Sequence, residues 1–183
     1  MGLFDFFKKK TPEYDVTNMS IHDLNVGFIF EYDIDTWEVK EAYEYDWGSN
    51  FYSREYKVSN GKDIKYLSVE EDDELELCWT DKIKLVEIDE NLLDKLISKQ
   101  KPPKKLHVND IDFFYEEVST GYFQKGLDRD ENSWEEYRCW DFEDKPGDNI
   151  LSIEQWDDEV FEASIGKNLK EFEISNILPA EKN

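Results

Sequence analysis

Leu67-Ser-Val-Glu-Glu-Asp-Asp-Glu-Leu75 returns as Leu151-Ser-Ile-Glu-Gln-Trp-Asp-Asp-Glu-Val160, with one residue inserted. An aromatic stands eleven positions upstream of each copy, Tyr56 before Leu67 and Trp140 before Leu151. A spacing of 84 to 85 residues in a chain of 183 points to two related modules in tandem. Leu67 and Val69, like Leu151 and Ile153, are expected to point into the core from matching strands.

Outward from this repeat the pattern is that of strands. Phe28, Phe30 and Tyr32 alternate with smaller or polar residues. Between Thr36 and Trp47, Trp37, Val39, Glu41, Tyr43, Tyr45 and Trp47 fall on one face of a period-two pattern, which predicts a long half-buried strand. Asp33-Ile-Asp35, Gly48-Ser-Asn50 and Ser59-Asn-Gly61 supply turns, so Phe51–Val58 and Ile64–Glu70 continue an antiparallel meander. Leu75, Leu77 and Trp79 alternate on its last strand. From Asp89 to Gln100 the period changes: Leu92, Leu93, Leu96 and Ile97 form a helical stripe, with Asp89 as N-cap. Lys101-Pro-Pro-Lys-Lys105 ends that helix as a linker. In the second copy Gly121–Asn132 reads as a loop, Gly166-Lys-Asn168 as a turn and Leu169–Ile174 as the last strand.

The expected architecture is mainly β: two tandem antiparallel modules, meander or sandwich-like, with a short linking helix. The divisions are an N-terminal amphipathic segment and lead-in (1–23), a first β module (24–88), the helix and Lys/Pro linker (89–105), a second β module (106–179) and a tail (180–183).

The formal net charge is −23, from 22 basic and 45 acidic side chains, and it is spread evenly: −12 over residues 1–100 and −11 over 101–183. Such a field repels nucleic acid and anionic membrane and favours cationic partners. The plainer reading is an acidic soluble protein. With 39% apolar and 15% aromatic residues there is enough to build a core. Cys78 and Cys139 show neither metal nor redox spacing and read as small buried hydrophobes in a reducing, cytoplasmic compartment. No apolar run reaches the length of a transmembrane helix.

The order Gly27-Phe-Ile-Phe-Glu-Tyr-Asp33, Trp37-Glu-Val39, Tyr66-Leu-Ser-Val-Glu70, Leu151-Ser-Ile-Glu154, Phe161-Glu-Ala-Ser-Ile-Gly166 and Phe172-Glu-Ile-Ser175 resembles a bacterial family known as domain of unknown function 4178. The resemblance covers roughly residues 24–178. It implies a mostly antiparallel β protein and carries over no activity and no catalytic residue. Members of that family stand near membrane-stress and polyamine-related genes, an associative link to both.

The residues themselves offer three candidate constellations. Tyr43, Tyr45, Trp47, Tyr52 and Tyr56 lie among Glu41, Glu44, Asp46 and Glu55. Aromatic faces beside carboxylates suit ammonium groups, at about 0.5–2 kcal/mol per contact, and so a polyamine, a lysine-rich peptide or a basic protein. The competing reading is core aromatics on one strand face and solvated acids on the other. At the N-terminus Leu3, Phe4, Phe6 and Phe7 fall on one helical arc followed by Lys8, Lys9 and Lys10, a candidate weak membrane contact against the alternative of a frayed end. Asp128, Asp130 and Asn132 share the first spacings of a calcium loop, but Ser133 and Cys139 occupy positions that need Gly and Glu. The acidic tips Glu71–Glu74 and Asp157–Glu159 read as solvated turns that block edge pairing. His22 and His107 have no nucleophile nearby, and no phosphate-binding glycine loop is present. No cofactor or metal is expected. These features predict a non-catalytic acidic binding or adaptor protein with a cationic partner and no direct nucleic-acid binding. The alternatives are a nucleic-acid mimic and an enzyme of unrecognised type.

Overall fold

The structure, a computed structural model, describes residues 19–128 and 133–179. Among them eleven strands form one antiparallel sheet. β1 (Ile29–Tyr32), β2 (Asp35–Gly48), β3 (Phe51–Ser59), β4 (Ile64–Glu71) and β5 (Leu75–Ile83) run as a meander. Two short helices follow, α1 (Leu85–Ile88) and α2 (Leu92–Lys99). A second meander comprises β6 (Lys105–Val108), β7 (Ile111–Lys125), β8 (Glu135–Glu143), β9 (Asn149–Asp157) and β10 (Val160–Leu169), and β11 (Ser175–Leu178) ends the chain's strands. The fold is mainly β, as expected. The two meanders share a single sheet, because β5 pairs with β10 and β2 pairs with β7. Those two seams close β2-β3-β4-β5-β10-β9-β8-β7 into a ring, with β1 and β11 flanking β2 and β6 flanking β7.

The same local devices recur in both meanders. Asp33–Ile34 and Asn109–Asp110 are two-residue turns with φ of 49° and 63°, and 51° and 63°. Consecutive positive φ values are those of a type I′ turn, whose twist matches the strands it joins. A bulge follows each: the register slips between Val39 and Glu41 in β2, and between Tyr115 and Glu117 in β7. Val69 faces Leu77 across β4–β5, and Ile153 faces Ala163 across β9–β10. All four are buried.

Each meander has its own apolar core on the face turned away from the ring's interior. In the first, Phe30, Tyr32 and Trp37 pack round Trp79, with ring centroids 6.3, 4.8 and 4.8 Å away. Tyr56, Val58, Leu67, Val69 and Leu77 complete it. In the second, Trp140, Phe142, Leu151 and Ile153 meet Leu92 and Leu96 of α2.

Five local expectations are corrected. The helix starts at Leu92, preceded by α1. Asp89 is not its cap, since its carboxylate accepts from the Asn91 backbone N at 2.8 Å and pairs with Lys95. Leu93 of the expected stripe is exposed. Gly121 to Lys125 is strand, not loop. Gly121 is needed there because a Cβ would lie 2.3 Å from the Asp46 carbonyl oxygen at the β2–β7 seam. Gly166 likewise stays inside β10, where a Cβ would meet the Trp79 oxygen at 1.9 Å. Both glycines mark close backbone approach rather than a turn. Leu169 ends β10, residues 171–173 form a single 3-10 turn, and the last strand is β11.

Candidate functional site

The bulge at Lys40 decides what lines the ring. Period two holds through Trp37 and Val39, which face the first apolar core. The extra residue then reverses the faces. Ala42 takes the core side, and Glu41, Tyr43, Tyr45 and Trp47 turn inward. The unbroken alternation expected from Trp37 to Trp47 is therefore two half-patterns facing opposite ways. Inside the ring Tyr45 stacks on Trp47 (5.7 Å, 6° between planes) and lies 5.1 Å from Tyr137. Trp156 and Phe123 pack behind them, at 4.8 Å from Tyr137 and 5.4 Å from Tyr45 respectively.

Next to this aromatic wall the ring encloses a cavity of about 820 Å³. Its lining alternates hydroxyls and carboxylates: Ser53 and Glu55 from β3, Ser68 and Glu70 from β4, Ser152 and Glu154 from β9. Exposed Glu74, Glu76, Glu117, Lys170 and Glu171 line its opening, with half-buried Asp141 just within. The thiols of Cys78 and Cys139 also face it. Burial, then the neighbouring carboxylates, pushes Cys78 up to about 12, and burial holds Cys139 well above the ordinary thiol range.

The carboxylates are unequally supplied with cations. Lys82 Nζ lies 2.6 Å from Glu154 Oε2 and 3.3 Å from Glu162 Oε2. Burial pulls its ammonium down, but Glu154 and Glu55 outweigh that and hold it above the usual lysine range. Glu55, only 9% exposed, has two neutral donors at the limit of hydrogen bonding, Tyr45 Oη and Ser68 Oγ, both 3.4 Å away. Burial, then the charge of Glu154, raises it to about 7. Glu70 is also raised to about 7, first by burial and then by Glu76, Asp141, Glu117 and Asp72. Below the aromatic wall the balance reverses. Glu41 is paired with Lys125 and, at 2.8 Å, with Lys57, which lower it to about 2. That three-residue cluster ties β3 and β7 to β2.

Of the residues expected to bind a partner, the structure brings Tyr43, Tyr45 and Trp47 together inside the ring. It does not bring Tyr52, Tyr56, Glu44 or Asp46 to them. Tyr56 is buried in the first core. Tyr52 pairs with Asp46 on the face away from the cavity. Glu44 is buried on that same outer face, accepting from Gln124 Nε2 at 3.3 Å with Arg54 at 3.9 Å. Asp46 accepts from the Gly48 backbone N and shapes the turn. The acids that share the cavity with the aromatics are Glu55, one of those expected, and Glu154, Glu70 and Asp141, which come from other strands and which the pattern around β2 could not reveal. The repeat did carry a signal: in Leu-Ser-Val-Glu and Leu-Ser-Ile-Glu the leucine faces a core while serine and glutamate face the cavity in both copies.

Leu3, Phe4, Phe6, Phe7, Lys8, Lys9 and Lys10 lie outside the described residues, as do Asp130 and Asn132 of the calcium-like spacing. Among the described residues no cluster of His, Cys, Asp or Glu is placed to hold a metal ion, and no helix is long and apolar enough to cross a membrane. His22 and His107 are exposed beside Glu71 and Asp112.

Comparison with known proteins gives a family and no chemistry. A family model described as "Domain of unknown function (DUF4178)" matches residues 25–171. An uncharacterized protein of Aquifex aeolicus (strain VF5) is 25% identical over 187 residues, covering 98% of this chain and 99% of that one. No solved structure matches. The chain belongs to the DUF4178 family.

Proposed function

We propose that this is a non-catalytic binding protein whose ring interior takes a small organic ammonium ion. The observation that carries the reading is Glu55. It is a buried carboxylate with no direct ion pair among the described residues, since Lys82 acts on it only through space and pairs with Glu154 and Glu162. It faces a cavity of about 820 Å³ beside the rings of Tyr45, Trp47 and Tyr137. A cavity of that size suits a small molecule. Burying an unpaired carboxylate is costly. An ammonium beside Glu55 offsets that cost and gains about 0.5–2 kcal/mol from each ring face it meets. The serines and Thr80 supply neutral acceptors for its remaining protons.

The remaining features fit binding better than chemistry. Both cavity thiols are held protonated by burial: Cys78 donates to the Asn168 amide oxygen, and Cys139 donates at 3.2 Å to Asp141, whose negative charge further disfavours a thiolate. The carboxylates that stand out by position face inward, which favours a cation in the cavity over a phosphate-like row on the outer surface. Two unpaired cysteines suit a reducing, cytoplasmic compartment. The recurrence of turn, bulge and strand register in β1–β5 and β6–β10 supports descent of both halves from one duplicated unit.

The test is calorimetry with putrescine, spermidine, a lysine-rich peptide and a neutral diol at pH 8. The amines should bind and the diol should not, and Glu55→Gln should abolish or greatly weaken amine binding. Binding of none of the amines, or equal binding of diol and diamine, would overturn the reading. Binding of the peptide alone would replace the small amine by a lysine side chain.

A further inference from the structure

The two halves place the same carboxylates in the ring with one exchange between them. In the second half Glu154 of β9 stands directly across from Glu162 of β10, and Lys82 reaches both. In the first half Glu70 of β4 stands directly across from Glu76 of β5. The β5–β10 ladder identifies the counterpart of Lys82. Thr80 and Gly166 form its central pair, with Lys82–Ser164 on one side and Cys78–Asn168 on the other. Asn168 is therefore to Glu70 and Glu76 what Lys82 is to Glu154 and Glu162. Asn168 carries no charge. Its amide donates to the Gly147 carbonyl at 2.9 Å and its Oδ1 accepts from Cys78 Sγ at 3.3 Å. Among the described residues the chain pairs an ammonium of its own with one glutamate pair and none with the other.

We propose that Glu70 and Glu76, at the opening of the cavity, form a subsite for a primary ammonium carried by the ligand, in the role that Lys82 plays for Glu154 and Glu162. The proposal rests on the reading of the cavity as an amine site, and it deepens that reading by requiring a second positive group. Glu55 faces Ser68, two residues from Glu70 on the same side of β4. Two residues of strand span about 7 Å. A short linear aliphatic diamine, or one end of a polyamine, reaches both glutamates. Asp141 and Glu117 of the neighbouring wall also line this end, so the ammonium there meets negative charge from β4, β5, β7 and β8. The raised proton affinity of Glu70 agrees with a carboxylate lacking its cation.

Asn168→Lys tests the assignment, because it builds the missing ammonium into the first half. Affinities for putrescine and for butylamine, which lacks the second ammonium, are compared by calorimetry at pH 8. The native protein should bind putrescine about tenfold or more tighter than butylamine, the ratio expected of one further charged hydrogen-bonded contact. In Asn168→Lys that ratio should collapse toward one while butylamine still binds. Glu70→Gln, which preserves shape, should collapse it in the same way and serves if the lysine variant does not fold. If putrescine and butylamine bind the native protein alike, or the ratio survives these substitutions, the subsite is overturned and the amine reading of the cavity stands. If neither amine binds, both are overturned.

Discussion

Replacing Glu55 by glutamine should stabilise the ligand-free protein increasingly above about pH 4.5, and almost fully from about pH 7 upward. Glu55 titrates at about 7 in the fold against 4.5 in an exposed chain, because burial and the charge of Glu154 disfavour its ionised form. A carboxylate raised in this way contributes stability that is fully present below about pH 4.5. That contribution is lost as pH rises from about 4.5 to about 7. The displacement from 4.5 to about 7 corresponds to about 3 kcal/mol. Glutamine has nearly the same shape and no charge to desolvate, so it is free of this loss. For a chain of this length about 1 kcal/mol moves Tm by roughly 2–4 °C. The variant should therefore melt about 6–12 °C above the native protein at pH 8.5, with the gap closing by pH 5. The assay is thermal unfolding followed by circular dichroism at half-unit steps from pH 5 to 8.5, in buffers free of amines. Saturating putrescine should erase most of the gap at pH 8.5 by neutralising Glu55 in the native protein alone. Melting curves of native and variant protein that shift in parallel with pH would refute the assignment of Glu55 as the uncompensated buried charge.

Three further outcomes are expected. Amine affinity should fall as the solution is acidified below pH 7, about tenfold per pH unit for each carboxylate that must give up a proton, and calorimetry in buffers of different ionisation heat should detect that proton. Gly166→Ala should cost about 1–3 kcal/mol or more in urea unfolding, since the added methyl meets the Trp79 backbone oxygen at 1.9 Å and opens the β5–β10 seam; an unchanged midpoint would mean the seam is not closely packed. Ile34→Gly should raise stability by about 1 kcal/mol, because a β-branched residue that is 104% exposed at φ 63° bears left-handed strain and makes no compensating contact.

What was legible in the sequence followed from local rules. Alternation located most of the strands, and Gly-, Asn- and Asp-rich turns located their ends. The Leu67 and Leu151 copies fell on strands that occupy the same place in each meander. What was not legible depended on close approach between distant segments. Gly121 and Gly166 look like breakers until the partner backbone is known, and the strands through them are the two that close the ring. The bulge at Lys40 is invisible in a pattern that remains polar-apolar on either side of it, so Tyr45 and Trp47 appeared to share a face with Trp37. The same extra residue sorts the four acids near these aromatics: Glu55 faces the cavity, Glu41 faces inward but is paired with Lys57 and Lys125, and Glu44 and Asp46 turn to the outer face.

The position of the two apolar cores explains why the ring interior is free to be charged. An eight-stranded ring that depends on its own interior for stability fills it with apolar side chains. Here Leu67, Val69, Leu77 and Trp79 point outward from the ring into one core, closed off by β1 and its neighbours. Leu151, Ile153, Phe142 and Trp140 point outward into the other, closed off by β6, α1 and α2. These strands thus bury one face in an outer core, while inside the ring an aromatic cluster around Tyr45 and Tyr137 fills one part and leaves the rest as cavity. Serine and glutamate at Ser68, Glu70, Ser152 and Glu154 lie on the face that folding does not need. Substitution there changes what the cavity holds without emptying a core. The exchange of lysine for asparagine between Lys82 and Asn168 is a change of that kind. Two copies with both lysines would form a ring whose charges are internally matched at these positions. One copy without it leaves a vacancy for a positive group at the end that opens to solvent.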